Sequence, residues 1–554
     1  MGSDGAQDLS LNADKALVQL GVWGRYQLMV FILANVPWVF VSFQMMAMAF
    51  VGSTPPFSCL HQGAKLLELN RTKETWDSQC SIVVNNKTVQ CGDDGSVFDF
   101  DPSFGNNIVT EWNLVCDRKL ITQVASSLFF AGVLVGSLVI PSAADRYGRR
   151  WVILVSAWAM AVTGAAVSFA PNVSIFGLLR FLAGFSTAGL SLTMWVLACE
   201  VMAPTKRSYG VAGQGVFWGI GYCLTGLIAY LLPDWRSFFL VTSLSCLSLI
   251  SYYWLIPESL HWYIAHGKSK EAWRWIERAA KFNGVKVNQQ DCLEDKLASS
   301  HLTKRNESIF DLFRCRALLI QTAIMAYLWI CNTFVYYGLS LFTTELAGDR
   351  YINYILSGAV EIPAYLILNP ILNRLGRRNA IAGYHVIAGV ALFALLFVPS
   401  GASRSHPHSD TDDDSMQYLA TGLWLVGKFA ISSSFVGIWL FGAEIFPTTV
   451  RTTGLGICNI ASRTGGILAP FSSSMRLLHP LFVPALFGVC SLVAAAVTLI
   501  LPETAGVKLA DEIADVDYGP VLSKFLSKQP PRRSFDDQSV TSQLVKIHSS
   551  DDSQ

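Results

Sequence analysis

A chain of 554 residues that is 52% hydrophobic and only 15% charged lies far from the roughly 25% charged residues of a soluble domain. Composition therefore excludes an ordinary soluble globular protein and points to a membrane protein. The formal net charge of +1 argues against nucleic acid or an acidic macromolecule as partner.

The first 26 residues form a polar N-terminus. MGSDGAQDLSLNADK lacks the basic and apolar regions of a cleaved signal, so the first apolar segment is expected to stay in the mature chain. Alanine stands where the myristoylation pattern needs Ser or Thr. Apolar runs of about 20 residues then recur, each long enough to cross roughly 30 Å of hydrocarbon. They fall at 27–50, 120–143, 151–170, 175–199, 210–231, 236–256, 316–341, 352–373, 380–399, 417–442, 453–475 and 480–501. Backbone groups in lipid must be satisfied internally, so these predict twelve helices. The short alternating segments of a lipid-facing barrel are absent.

After the first span, the insertion 51–119 carries Cys59, Cys80, Cys91 and Cys116 beside two sequons, NRT at Asn70 and NKT at Asn86. Cysteines beside glycosylation acceptors predict an oxidised extracellular loop with two disulfides, in one of three pairings. NVS at Asn172 and NES at Asn306 are set aside, the first for lying tight against helices, the second for falling on the inner side. The second insertion, 257–315, contains SKEAWRWIERAAKFNG and reads as a cytoplasmic helical loop. Basic loop residues set orientation. DRYGRR at 145–150, TKR at 205–207, NRLGRR at 373–378 and Arg451 all follow even-numbered spans. Both termini are then cytoplasmic and the sequon loop extracellular. The tail from about 503 to 554 is polar and is expected to be disordered.

An internal repeat organises the rest. DRYGRR after span 2 matches NRLGRR after span 8, and EVMAPTKR (200–207) matches EIFPTTVR (444–451). The expected architecture is all-α, with two six-helix bundles, 27–256 and 316–502, that rock about a midplane site. Charge-assisted pairs at the inner helix ends would latch one state and break in the other. The candidates are Asp145, Arg146, Arg149, Glu200 and Arg207, with Arg374, Glu444 and Arg451 in the second half.

These features resemble the major facilitator superfamily. GVWGRYQ before span 1, TEWNLVCD before span 2, PESLHWYIAHGK after span 6 and AEIFPTTVR after span 10 are similar to its organic cation, anion and zwitterion transporter branch. YGLSLFTTELAGD, VEIPAYL, GKFAISSSF and ASRTGGILAPF look most like the carnitine and zwitterion carriers. Three departures concern the loops: Pro141 where the superfamily motif usually opens with Gly, Asn373 where the first copy has Asp145, and four outer-loop cysteines where relatives often have six.

Ionisable residues at membrane depth cost at least roughly 2.5–3.5 kcal/mol and usually face a cavity or a partner. Four stand out: Arg180, Glu361, Lys428 and Arg463. Arg180 either pairs structurally or reaches substrate. Glu361, before Pro363, either neutralises a cation such as Lys428 or acts on substrate or a proton. Arg463 lies in NIASRTGGILAP, where glycines permit close backbone approach and a planar guanidinium can grip a carboxylate with two bonds. By the resemblance, carriers of permanent cations have Asp at this position, and anion and zwitterion carriers have Arg. A quaternary ammonium prefers aromatic faces, for which Phe217, Trp218, Trp329, Tyr336, Tyr337 and Trp439 are candidates, with Gln214 as a hydrogen-bonding neighbour.

No phosphate-binding GxxxxGKS loop, metal-ligand spacing or nucleophile elbow occurs, so no enzymatic chemistry, cofactor or metal is expected. The expectation is a plasma-membrane carrier of small organic solutes, first carboxylate-bearing zwitterions such as carnitine or betaines, then organic anions, then organic cations. The resemblance implies coupling to Na+, with exchange for a counter-substrate or uniport equally open; the expected partners are solute and lipid, and no obligate protein partner is readable. A sensor that keeps the fold without turnover is the competing class, and the intact latch residues argue against it.

Overall fold

The computed structural model describes residues 9–61, 80–84, 87–91, 96–295, 315–346, 348–398, 412–475, 479, 481–507, 510 and 512–525. Among them are twelve long helices. The first half contains α1 (Arg25–Val51), α2 (Lys119–Tyr147), α3 (Arg149–Val167), α4 (Val173–Glu200), α5 (Ser208–Leu231) and α6 (Trp235–Leu255). The second contains α7 (Arg316–Phe342), α8 (Arg350–Leu375), α9 (Arg377–Ala394), α10 (Asp412–Ile445), α11 (Arg451–Leu468) and α12 (Phe482–Thr498).

Ten of these are long and apolar enough to cross a membrane on that ground alone. The exceptions are α12, with 17 residues, and α11, whose 18 residues include Arg451, Thr452, Thr453, Asn459, Ser462, Arg463 and Thr464. A helix this polar is stable in lipid only when neighbours cover it. Indeed α7 packs along α11.

Local chemistry explains the breaks. α1 is interrupted at Val36, where Pro37 cannot donate to the ladder and opens the next segment. α8 breaks at Val360, so Glu361 begins a new helical segment with Pro363 in its first turn. Gly148 (φ +100°) and Gly376 (φ +85°) end α2 and α8 and let α3 and α9 start at the next residue. A side chain at either glycine would be strained by that φ.

Within the first half α2 packs on α4, α3 on α4, α1 on α5 and α6 on α3. In the second, α7 packs on α11, and α9 on α10 and α12. The halves meet through α5 against α8 and α2 against α11. At one end of the bundle sit two antiparallel pairs, β2 (Phe57–His61) with β5 (Ser96–Phe100) and β3 (Ser81–Val84) with β4 (Lys87–Gln90). Disulfides Cys59–Cys91 and Cys80–Cys116 join them, which resolves the pairing that the sequence left open. Asn70, Asn86 and Asn306 lie outside the described residues. Asn172 caps α4, its side chain accepting the Ile175 N–H at 2.9 Å.

The described part of the loop after α6 is fastened to the first half. β1 (Leu9–Leu11) pairs with β6 (Leu293–Asp295). Asn283 accepts the Tyr26 N–H at 2.8 Å and donates to Gln27 Oε1 at 2.8 Å. The tail does not turn disordered at 503. Glu503 caps α9, the Asp517 carbonyl accepts from Gln321 at 2.6 Å, and Val516 and Leu522 are buried. These few apolar anchors inside a polar stretch supply the burial that average composition conceals.

Candidate functional site

A cavity of about 940 Å3 lies between the halves. Its wall is largely aromatic: Trp38 from α1, Trp195 from α4, Trp218 from α5, Tyr336 and Tyr337 from α7, Tyr365 from α8, and Phe435 and Trp439 from α10. Gln214, Thr187, Ser191 and Ser462 add hydrogen-bonding groups. Arg463 is the one formally charged side chain among the lining residues.

Arg463 reaches the wall because its neighbours are glycines. A methyl group at Gly465 would sit 2.4 Å from the Ile330 carbonyl of α7, and one at Gly466 2.9 Å from the Phe130 ring of α2. Without side chains there, α11 lies against both helices and turns Arg463 to the cavity. The buried Nε of Arg463 has no hydrogen-bond partner among the described residues. A guanidinium N–H buried without an acceptor forfeits a charge-assisted bond.

Behind the wall, Lys428 and Glu361 form an ion pair at 2.9 Å, and both side chains are fully buried. Glu361 also accepts from the hydroxyls of Tyr336 and Tyr365, each at 2.8 Å. Lys428 Nζ donates to Ser340 Oγ and stands 3.5 Å over the Tyr336 ring. Neither charge is among the cavity-lining residues, so the pair forms a neutralised backing layer. From the other half, Trp218 Nε1 donates to the Tyr336 hydroxyl at 2.6 Å. A continuous chain thus runs from α5 through Tyr336 to the ion pair.

Of the aromatic candidates, Trp218, Tyr336, Tyr337 and Trp439 line the cavity, as does Gln214. Trp329 does not: it is buried behind Trp439, with ring centroids 4.4 Å apart. Phe217 is half-buried and is not among the lining residues. Trp38, Trp195, Tyr365 and Phe435 escaped the sequence reading. Tyr365 was signalled by its place one turn after Glu361, and Trp38 by the proline that breaks α1. Arg180 is fully buried away from the cavity, with its guanidinium carbon 4.2 Å from the Phe129 ring centroid and 5.4 Å from that of Phe239.

The inner charges pair differently from the expectation. Arg149 bridges Asp145 at 2.9 Å and Glu200 at 3.2 Å. Glu444 pairs with Arg377 at 3.1 Å, whereas Arg451 Nε donates to the Phe446 carbonyl at 3.3 Å. Arg377 lies one residue after Gly376, where the turn aims it at the end of α10. Arg207 bonds Asp14 of the N-terminal segment, and Arg146 and Arg374 are exposed. Each of these pairs joins helices or segments of one half, so they brace a half rather than lock two halves together.

Two further carboxylates complete each copy. Glu258 accepts the backbone N–H of Arg149 at 2.7 Å, and Glu503 accepts that of Arg377 at 2.7 Å. A methyl group at Gly148 or Gly376 would meet these carboxylates at 2.3 and 2.5 Å. The repeat PES (257–259) and PET (502–504) carried this signal. Burial pushes the Glu258 carboxyl above its ordinary pKa, against the N–H donors of Ser259, Arg150 and Arg149 that pull it down.

At the disulfide-bearing end the halves are fastened. Gln123 Nε2 donates to Ser473 Oγ at 3.0 Å, Ser127 Oγ to the Ile467 carbonyl at 2.7 Å and Thr344 Oγ1 to the Ala49 carbonyl at 3.0 Å. Tyr222 stacks on Tyr354 with centroids 4.3 Å apart. Toward the opposite end Trp195 meets Trp439 across the halves, with ring centroids 5.4 Å apart.

Comparison with known proteins agrees with this architecture. Residues 77–514 match the family described as Sugar (and other) transporter. An organic cation transporter protein of Drosophila melanogaster is 33% identical, over 91% of this chain and 94% of its own. Organic anion transporter 3 of Oryctolagus cuniculus is 30% identical, over 93% and 95%. Among solved structures, the partially occluded inward-open xylose transporter from E. coli aligns with a TM-score of 0.59 at 15% identity, covering 87% of this chain and 100% of that one. At that identity the likeness speaks to the fold alone.

Proposed function

From a chain that belongs to the sugar (and other) transporter family, a family of multi-pass membrane transporters rather than enzymes, we propose a carrier of small carboxylate-bearing zwitterions, betaines such as carnitine, working by alternating access at the plasma membrane. The observation that carries this reading is Arg463: the sole formal charge among the described lining residues of a cavity rich in aromatic rings, with its Nε unpartnered among the described residues. A carboxylate on Arg463 leaves the substrate's ammonium among Trp38, Trp218, Tyr336 and Trp439, where ring faces attract it without needing hydrogen bonds. Gln214 orients the polar middle. The Glu361–Lys428 pair contributes no net charge, which disfavours a pure organic-cation carrier.

The disulfide end is extracellular and both termini are cytoplasmic in this reading, by the basic-loop rule. The structure is then the state fastened on the outside. In this reading flux needs no cofactor and is coupled to Na+, to exchange for a counter-substrate, or to the solute's own gradient. Organic anions form the second reading, because one unopposed arginine also serves an anion with no ammonium.

Uptake of labelled carnitine, a dicarboxylate and tetraethylammonium into cells expressing the chain tests the proposal, with Arg463→Ala alongside. Carnitine uptake lost in the variant is expected. Dicarboxylate uptake alone, lost in the variant, would favour the anion reading. Robust tetraethylammonium uptake that ignores the substitution would overturn both.

A further inference from the structure

A second pocket, of about 440 Å3, lies between the halves at the disulfide-bearing end, apart from the residues of the central cavity. Its lining is rich in oxygen, and most of its hydroxyl protons are spent on backbone carbonyls. Ser53 donates to the Phe50 carbonyl at 2.8 Å, Thr344 to Ala49 at 3.0 Å, Ser472 to Ala469 at 2.7 Å and Ser473 to Pro470 at 3.0 Å. Gln123 spends its amide N–H groups on Ser473 and Ser474. These four hydroxyls therefore present lone pairs to the pocket. Two buried atoms, Thr122 Oγ1 and Gln123 Oε1, have no hydrogen-bond partner among the described residues. Glu345 is also among the lining residues.

A lining of acceptors rewards groups that coordinate oxygen or donate hydrogen bonds. From this we infer that the pocket is a second binding site, for a monovalent cation, in the outer vestibule of the transport path. Its occupant is either an alkali ion with part of its water or the N–H-bearing ammonium head of an organic solute. The two share one chemistry: a single positive charge presented through donors. Arg463 and the aromatic cage play no part in it. Only the word vestibule rests on the transport reading; the cation site itself does not.

The test is binding, read without flux. Purified full-length protein is followed by thermal unfolding while tetramethylammonium chloride, which has no N–H, is replaced at constant ionic strength by sodium chloride or by methylammonium chloride. A saturable rise in the midpoint is expected with at least one of them. Its apparent Kd should weaken about tenfold or more in Thr122→Val, a near-isosteric change, and in Gln123→Leu, and should stay unchanged in Arg463→Ala. A response to sodium alone assigns the site to an inorganic ion, and one to methylammonium alone assigns it to a solute amine. No saturable response, or one that both vestibule variants leave intact, would overturn the inference. Because Arg463→Ala reports on the central cavity through uptake, failure of the zwitterion reading shows separately.

Discussion

At the scale of single residues, Arg463 and the Glu361–Lys428 pair carry opposite expectations. Arg463→Lys keeps the charge and loses the planar fork, so uptake should fall by about tenfold to a hundredfold, mainly through a raised KM. Lys428→Met leaves the Glu361 carboxylate buried without its cation and should cost about 3–5 kcal/mol, seen as a lowered unfolding midpoint in detergent. Adding Glu361→Gln to it should recover much of that loss, because the pair is a neutral unit; a double variant worse than the single would show that Glu361 is held by the tyrosine hydroxyls alone. The identity of Arg463 as a cavity charge was legible in the sequence, since an arginine among glycines in an apolar run admits few placements. The burial of Lys428 behind Tyr336 was not: periodicity reveals which face of a helix is polar, but not whether an aromatic ring from another helix stands in front.

At the scale of elements, α3 and α9 begin alike, each with a positive-φ glycine, an arginine that pairs with a glutamate on the following helix, and a distant carboxylate on the first backbone N–H. A carboxylate at a helix N-terminus satisfies donors that have no intrahelical partner. The raised pKa of Glu258 sets the sign of its pH dependence. Its stabilising contribution is complete below the ordinary carboxylate range and declines as pH rises through the raised value. Thermal unfolding of Glu258→Gln should lack that decline, so the difference between wild type and variant should change with pH across the mildly acidic range and be constant above it. The repeat of DRYGRR and NRLGRR was readable from the sequence because the two copies are nearly identical. Arg377 was passed over because both Arg374 and Arg377 fit the motif, and only the turn at Gly376 decides which one meets Glu444.

At the scale of the molecule, twelve spans, two halves and the disulfide-bearing end follow from hydropathy, repeat and cysteine placement, because lipid leaves the backbone so few options. The state of the molecule was not legible, since one sequence must serve every state of the cycle with the same residues. Here the fastened end holds Gln123 against Ser473. Linking cysteines placed at Gln123 and Ser473 with a short bifunctional reagent should arrest uptake almost completely and reversibly, while leaving the unfolding midpoint unchanged or higher. Uptake that persists in the linked protein would show that the halves need not separate there.

The polarity of α11 bears on how the chain is made. A segment with Arg451, Arg463 and a row of hydroxyls gains too little from lipid to be retained by the insertion machinery on its own merit. It becomes a membrane helix when α2 and α7, already in place, offer surfaces that accept it, with α12 behind it as the stronger anchor. The cavity arginine therefore enters the bilayer among the last, and a chain truncated after Leu468 should leave this segment outside the bilayer, detectable by a glycosylation acceptor placed beyond it.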